Sequence, residues 1–137
     1  MSVEFEISDS FPVSPQVVYD TWLNSEGHTA MTGSPASVSA EIGGEFTAGD
    51  GYITGKNRQL VPGSLIHQAW RTQEFDDSDV DSELVIILVP DGIGTLLTLK
   101  QSNLPDHGMQ YKQGWLDHYF EPMKAYFRSI SRTSDSL

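Results

Sequence analysis

Four turn dipeptides, Gly43-Gly44, Asp50-Gly51, Pro62-Gly63 and Asp91-Gly92, punctuate the chain between Ala36 and Lys100. Each lies between short runs of strand-forming residues, and Asp-Gly suits hairpin turns that need positive φ at both central positions. The stretch is therefore expected to be an antiparallel meander of roughly six strands. Ahead of it, Val3, Phe5 and Ile7 alternate with Glu4, Glu6 and Ser8, the period of a strand with one wet face. Together these segments predict a sheet of about six to seven strands.

Helix signals flank the meander. Ser14 before Pro15 opens a helix to about Leu23, because the Ser oxygen can accept a free backbone N–H and Pro tolerates the first helical position. Ser25 offers a second cap for a short helix through His28 and Met31, which Gly33 and Pro35 end. After Pro105, Leu116, Phe120, Met123 and Phe127 form an apolar stripe beside a second one of Tyr111, Trp115, Tyr119 and Tyr126. This is one wide-faced helix, in which Pro122 is expected to cause a bend or an early break. Residues 1–130 read as a single domain and 131–137 as a flexible polar tail. The order strand, two short helices, meander, long helix leaves no room for a second core, so the curved sheet must wrap around the long helix in an α+β fold.

Composition excludes several functions. The 137 residues carry 38% hydrophobic and 20% charged residues, ordinary for a globular protein, with a formal net charge of -11. Such a surface gains nothing from nucleic acid or an anionic membrane. Cys is absent, which removes disulfides, thiol nucleophiles and cysteine metal sites. No run of about 18 apolar residues is present, and the start MSVEFEISDS lacks the basic and apolar segments of a signal peptide. The expected location is the cytoplasm.

Four local patterns, taken in order, resemble the SRPBCC or START-like superfamily and, within it, the activators of heat-shock protein 90 ATPase. They are Phe11-Pro12-Val13-Ser14-Pro15 with Val18, Tyr19 and Trp22; Gly43-Gly44-Glu45-Phe46 with Asp50-Gly51 and Gly55; Leu60-Val61-Pro62 with Ile66 and Trp70; and Gly114-Trp115 with Tyr119-Phe120. The resemblance spans roughly residues 3 to 128 and is to the co-chaperone's C-terminal domain. These residues hold nothing like its additional N-terminal domain. The resemblance implies a helix-grip fold, a cavity between sheet and long helix, and a chaperone-linked role in the stress response.

In such a fold, strand residues of one parity and the inner face of the helix would wall the cavity. The candidates are Trp22, Phe46, Tyr52, Trp70, Leu84, Ile86, Trp115, Tyr119 and Met123, which combine apolar area with occasional hydroxyl or indole donors. A ligand-sized cavity and a core filled by these same side chains both remain open. Leu84 to Val89 is apolar at both parities, which a sheet with one wet face does not require. Monomer and homodimer are both compatible with it.

Catalytic and metal signals are weak. His118 has only Glu121 as a helical neighbour, short of the three or four ligands of a zinc site. Asp77, Asp79 and Asp81 have the opening spacing of a calcium loop, but Ser82 and Leu88 stand where Gly and a bidentate Glu are needed. The run Glu74 to Glu83 reads as a mobile acidic loop. No nucleophile elbow, phosphate loop or dinucleotide fingerprint occurs, and no cofactor is expected. Three functions remain. The leading one is a non-enzymatic module binding a small apolar ligand. The others are a protein contacting heat-shock protein 90 and a small cyclase or hydrolase using Glu45, His67 or His118.

Overall fold

The alternation in the first strand is fully expressed in β1 (Val3–Phe11), whose odd-numbered residues turn inward while Glu4, Glu6, Ser8 and Ser10 are exposed. The structure, a computed structural model, describes residues 3–135. After β1 come α1 (Pro15–Trp22) and α2 (Ser25–Thr32). β2 (Glu45–Ala48), β3 (Ile53–Val61), β4 (Leu65–Thr72), β5 (Ser82–Asp91) and β6 (Gly94–Leu104) follow. A final helical body joins α3 (Gln110–Trp115), a π-helical turn (Leu116–Phe120) and α4 (Glu121–Asp135). The strands form one antiparallel sheet in the order β1-β6-β5-β4-β3-β2. The sheet thus contains six strands. Five lie in the meander region rather than roughly six, because the segment after Ala36 contributes only a single bridge, Ser37 to Thr47.

Local chemistry sets the ends of these elements. Ser14 caps α1, its Oγ accepting the Val17 N–H at 3.3 Å. The cap of α2 is Asn24, which accepts the Gly27 N–H at 2.8 Å, and not Ser25. The Ser25 hydroxyl instead accepts the Val38 N–H at 2.9 Å and so ties α2 to the following loop. Between β2 and β3, Asp50 (φ 58°) and Gly51 (φ 90°) supply the positive φ values expected of Asp-Gly. Asp91-Gly92 behaves differently: β5 runs through Asp91, which pairs with Gly94, and the turn residues are Gly92 and Ile93, with positive φ at Gly92 alone.

The helical body runs unbroken past Pro122 to Asp135, so the expected break is absent and the helix passes Ile130, where a tail was expected to begin. Residues 136 and 137 lie outside the described residues. Side chains four apart on a regular α-helix drift about 40° per turn. A stripe at Tyr111, Trp115, Tyr119, Met123 and Phe127 would therefore wind away from the sheet. The π-helical turn, in which the Glu121 N–H donates to the Leu116 carbonyl, takes up an extra residue and turns the stripe back. All five side chains are buried. Pro122 falls in the first turn of α4, immediately after this turn.

The core lies between this helical body, α1 and the inner face of the sheet, with Trp22, Met31, Ile66, Leu84, Ile86, Leu97, Leu99, Phe120, Met123 and Phe127 at its centre. Lys124 reaches from α4 to Asp9 on β1 at 2.6 Å. The outer face is mixed. Arg58 and His67 both meet Glu83, and Arg71 meets Asp81. Val85 and Ile87 stand half-buried among their cross-strand neighbours, while Val89 and Leu96 are exposed. No helix among the described residues is long and apolar enough to cross a membrane.

The acidic segment after β4 is not loose. The Arg71 guanidinium donates to the carbonyls of Asp76 and Asp79 and to the Asp81 carboxylate, and it lies 5.3 Å from the centre of the Phe75 ring. Phe75 is buried against Trp70 and Tyr111. One cation therefore offsets the repulsion that made this segment read as mobile, and one ring anchors it.

Candidate functional site

A cavity of about 410 Å³ opens between the C-terminal end of α2, the turn joining β2 to β3, and the helical body. Gly49, Tyr52 and Ile53 come from the turn side, Trp70 from β4, and Tyr111, Gly114, Trp115 and Tyr119 from the helical body. Thr32, Ser34, Asp117, His118 and Pro122 complete its lining. Asp117 and His118 are exposed and stand at the mouth. Among the described residues, no group of His and acidic side chains is disposed to hold a metal ion.

The aromatic walls brace one another. Trp115 lies 4.7 Å from Tyr119, 5.6 Å from Trp70 and 6.2 Å from Trp22, between ring centres. Their polar atoms are tied back into the protein. The Trp115 indole N–H donates to Gln101 Oε1 at 2.8 Å. The Tyr111 hydroxyl meets Thr72 Oγ1 at 2.6 Å, and that oxygen also accepts the Glu74 N–H. Burial pushes the Tyr52 phenol up to about 12, with hydrogen bonds from Thr72 and to Glu74 acting in opposite directions on it.

Behind the wall, His28 is 2% exposed. A carbonyl can only accept, so His28 Nδ1–H donates to the Trp22 carbonyl at 2.8 Å, and Nε2 of the neutral ring accepts the Tyr119 O–H at 2.7 Å. Burial holds the imidazole pKa below its ordinary value, opposed by the bond to Trp22. Burial likewise raises the Tyr119 phenol above its ordinary value. Both groups stay uncharged near neutral pH, and the chain fixes the ring of Tyr119 in the cavity wall.

Of the nine residues chosen from sequence, Tyr52, Trp70, Trp115 and Tyr119 line this cavity. The other five do not. Leu84, Ile86 and Met123 are fully buried core residues, the first two on β5, a strand that α1 covers. Trp22 sits behind Trp115 and Tyr119. The Phe46 ring lies over Gly55, beside a separate and more polar groove lined also by Glu45, Lys56, Arg71 and Asp81. Sequence reasoning missed Tyr111, although it shares the four-residue stripe of Trp115 and Tyr119. It also missed Gly114, where a glycine inside a helix was itself a signal. The three candidates for acid–base work are scattered: Glu45 is exposed on β2, His67 pairs with Glu83 on the outer face, and only His118 touches the cavity.

An antiparallel sheet closed over a long C-terminal helix, with a cavity between hairpin and helix, defines an α+β protein of the helix-grip class. Residues 12–128 match the family described as "Activator of Hsp90 ATPase homolog 1-like protein", and the chain belongs to that family. It is 30% identical over 129 residues to an activator of 90 kDa heat shock protein ATPase homolog from Dictyostelium discoideum, covering 93% of this chain and 33% of that protein. The chain thus spans about a third of the length of that relative. An Hsp90 activator from Plasmodium falciparum has the same fold, with a TM-score of 0.80 at 22% identity over 89% of this chain and 94% of the other. So does a protein from Colwellia psychrerythraea solved as a dimer, with a TM-score of 0.76 at 15% identity over 91% and 96% of the two chains.

Proposed function

We propose that this protein is a non-enzymatic module that binds a small apolar ligand between its β2–β3 turn and its helical body. The cavity of about 410 Å³ carries the reading. Small-molecule sites span roughly 300–1,000 Å³ and are lined mostly by apolar and aromatic groups with a few polar ones. Here the aromatic walls pack on one another, and the polar atoms of Tyr111, Trp115 and Tyr119 are hydrogen-bonded to Thr72, Gln101 and His28. Isothermal titration with fatty acids, flavonoids, sterols and aromatic polyketides tests it. Saturable one-to-one binding by one class supports the reading, and no heat from any of them at two well-separated temperatures, where the heat-capacity change of apolar burial would show, retires it.

Contact with the Hsp90 chaperone is the second reading, and the family and the Dictyostelium relative's name favour it. The exposed Val89, Leu96 and Ile93 at one end of the outer face give such a contact apolar surface. The same surface suits a second copy of the chain, and the Colwellia relative was solved as a dimer. An ATPase assay of the host chaperone with excess of this protein separates the readings: no binding and no rate change would remove the contact. The cyclase or hydrolase reading has least support, because His118 stands at the mouth with no buried acid–base partner in the lining. The charge of -11 disfavours nucleic acid and anionic membrane as partners.

A further inference from the structure

Gly114 lies within the helical body, where glycine destabilises relative to alanine because it has more backbone freedom to lose. Its backbone is not in the left-handed region, so geometry does not require glycine. Packing does not require it either: a Cβ built at Gly114 meets no atom within 4 Å. Gly27 in α2 is the contrast, since its Cβ would come within 3.0 Å of the Thr21 carbonyl oxygen, and close packing accounts for that glycine. The open space at Gly114 is the cavity itself. Tyr111 and His118 stand one turn away on either side and line the same cavity, making Gly114 the floor of a notch in the helix surface.

We propose that Gly114 is a specificity-determining residue: its missing side chain lets a flat, uncharged aromatic ring system lie against the helix between Tyr111 and His118. This inference rests on the reading of the cavity as a ligand site. The ligand is flat because the neighbouring walls are the rings of Tyr52, Trp70, Tyr111 and Trp115, which favour offset or edge contact with another ring. It is uncharged because the polar atoms of Tyr111, Trp115 and Tyr119 are committed to Thr72, Gln101 and His28, so a buried charge would find no partner among them. Asp117 and His118, the acidic and imidazole side chains in the lining, are exposed at the mouth.

The test is a fluorescence titration with N-phenyl-1-naphthylamine, an uncharged aromatic probe, on the wild type, Gly114→Ala, Gly114→Leu and Gly27→Ala, with a melting curve for each. The wild type binds saturably, Gly114→Ala weakens binding about tenfold or more, as one methyl group in a fitted pocket does, and Gly114→Leu abolishes it. Gly114→Ala melts about 2–5 °C above the wild type, as relief of a helical glycine predicts, whereas Gly27→Ala melts below it. Equal affinity in the wild type and Gly114→Ala would overturn the inference and leave the ligand site standing. A melting point of Gly114→Ala below that of the wild type would overturn it too, by showing that packing requires the glycine. A wild type that takes up no probe would remove the ligand-site reading and this inference with it.

Discussion

Acidification from about pH 7.5 to pH 5.0 should remove up to roughly 2 kcal/mol of stability through His28 alone. The folded imidazole is 2% exposed, and its two nitrogens are committed to the Trp22 carbonyl and the Tyr119 hydroxyl. Protonation would turn Nε2 into a donor to the phenol oxygen, take away the acceptor of the Tyr119 O–H and bury a positive charge, with no acidic side chain among the described residues acting on the imidazole to compensate. Burial therefore lowers the folded pKa, while the unfolded chain takes up its proton near pH 6.5. Below that pH the unfolded state binds more protons than the folded one, so stability falls as pH falls, at up to about 1.4 kcal/mol per unit, until the folded pKa is reached. Above about pH 7 this contribution is flat. The assay is urea denaturation across this range for the wild type and His28→Met, whose difference cancels the carboxylates and the other histidines. A difference that does not change with pH, or a wild type that loses less than the variant on acidification, would refute the assignment of a buried neutral His28.

Tyr119→Phe should destabilise by about 1–3 kcal/mol at neutral pH by leaving His28 Nε2 buried without a donor, and by much less in the His28→Met background, as a double-mutant cycle in urea would show. Gly55→Ala should lower stability by roughly 3 kcal/mol or more, because its Cβ would sit 1.9 Å from the Ala69 carbonyl oxygen and 2.7 Å from the Phe46 ring; a thermal melt reads it. Arg71→Ala should speed hydrogen exchange of the Asp79 amide, which donates to Asp76, without changing exchange in the core strands.

Strong periodicity made much of the fold legible. The alternation of Val3, Phe5 and Ile7, the Ser14-Pro15 helix start and the Asp50-Gly51 turn each reflect a local rule that tertiary structure did not override, whereas at Asp91-Gly92 the turn shifted by one residue. The continuity of the last helix was not legible, because a π-helical turn has no sequence signature beyond the stripe it serves, and Pro122 alone argued for a break. The acidic segment was misjudged for a similar reason: its anchor, Arg71, comes from a neighbouring strand and reaches three loop residues only after folding. Cavity residues were half legible. Parity separates inward from outward side chains, but it cannot tell which inward side chains another element covers. Leu84 and Ile86 lie on β5, which α1 covers, and are core, while Trp70 on β4 reaches the opening. Tyr111 and Gly114 depend on the rotation of the helix, which the π-helical turn alters.

The central claim is that the cavity receives a ligand, and amide and indole chemical shifts of the labelled protein under titration with N-phenyl-1-naphthylamine test it most directly. The account predicts saturable movement at Tyr52, Trp70, Tyr111, Gly114, Trp115 and Tyr119, with Leu97 and Leu99 on β6 unmoved. Movement confined to the outer sheet face, or none at any concentration, would contradict it.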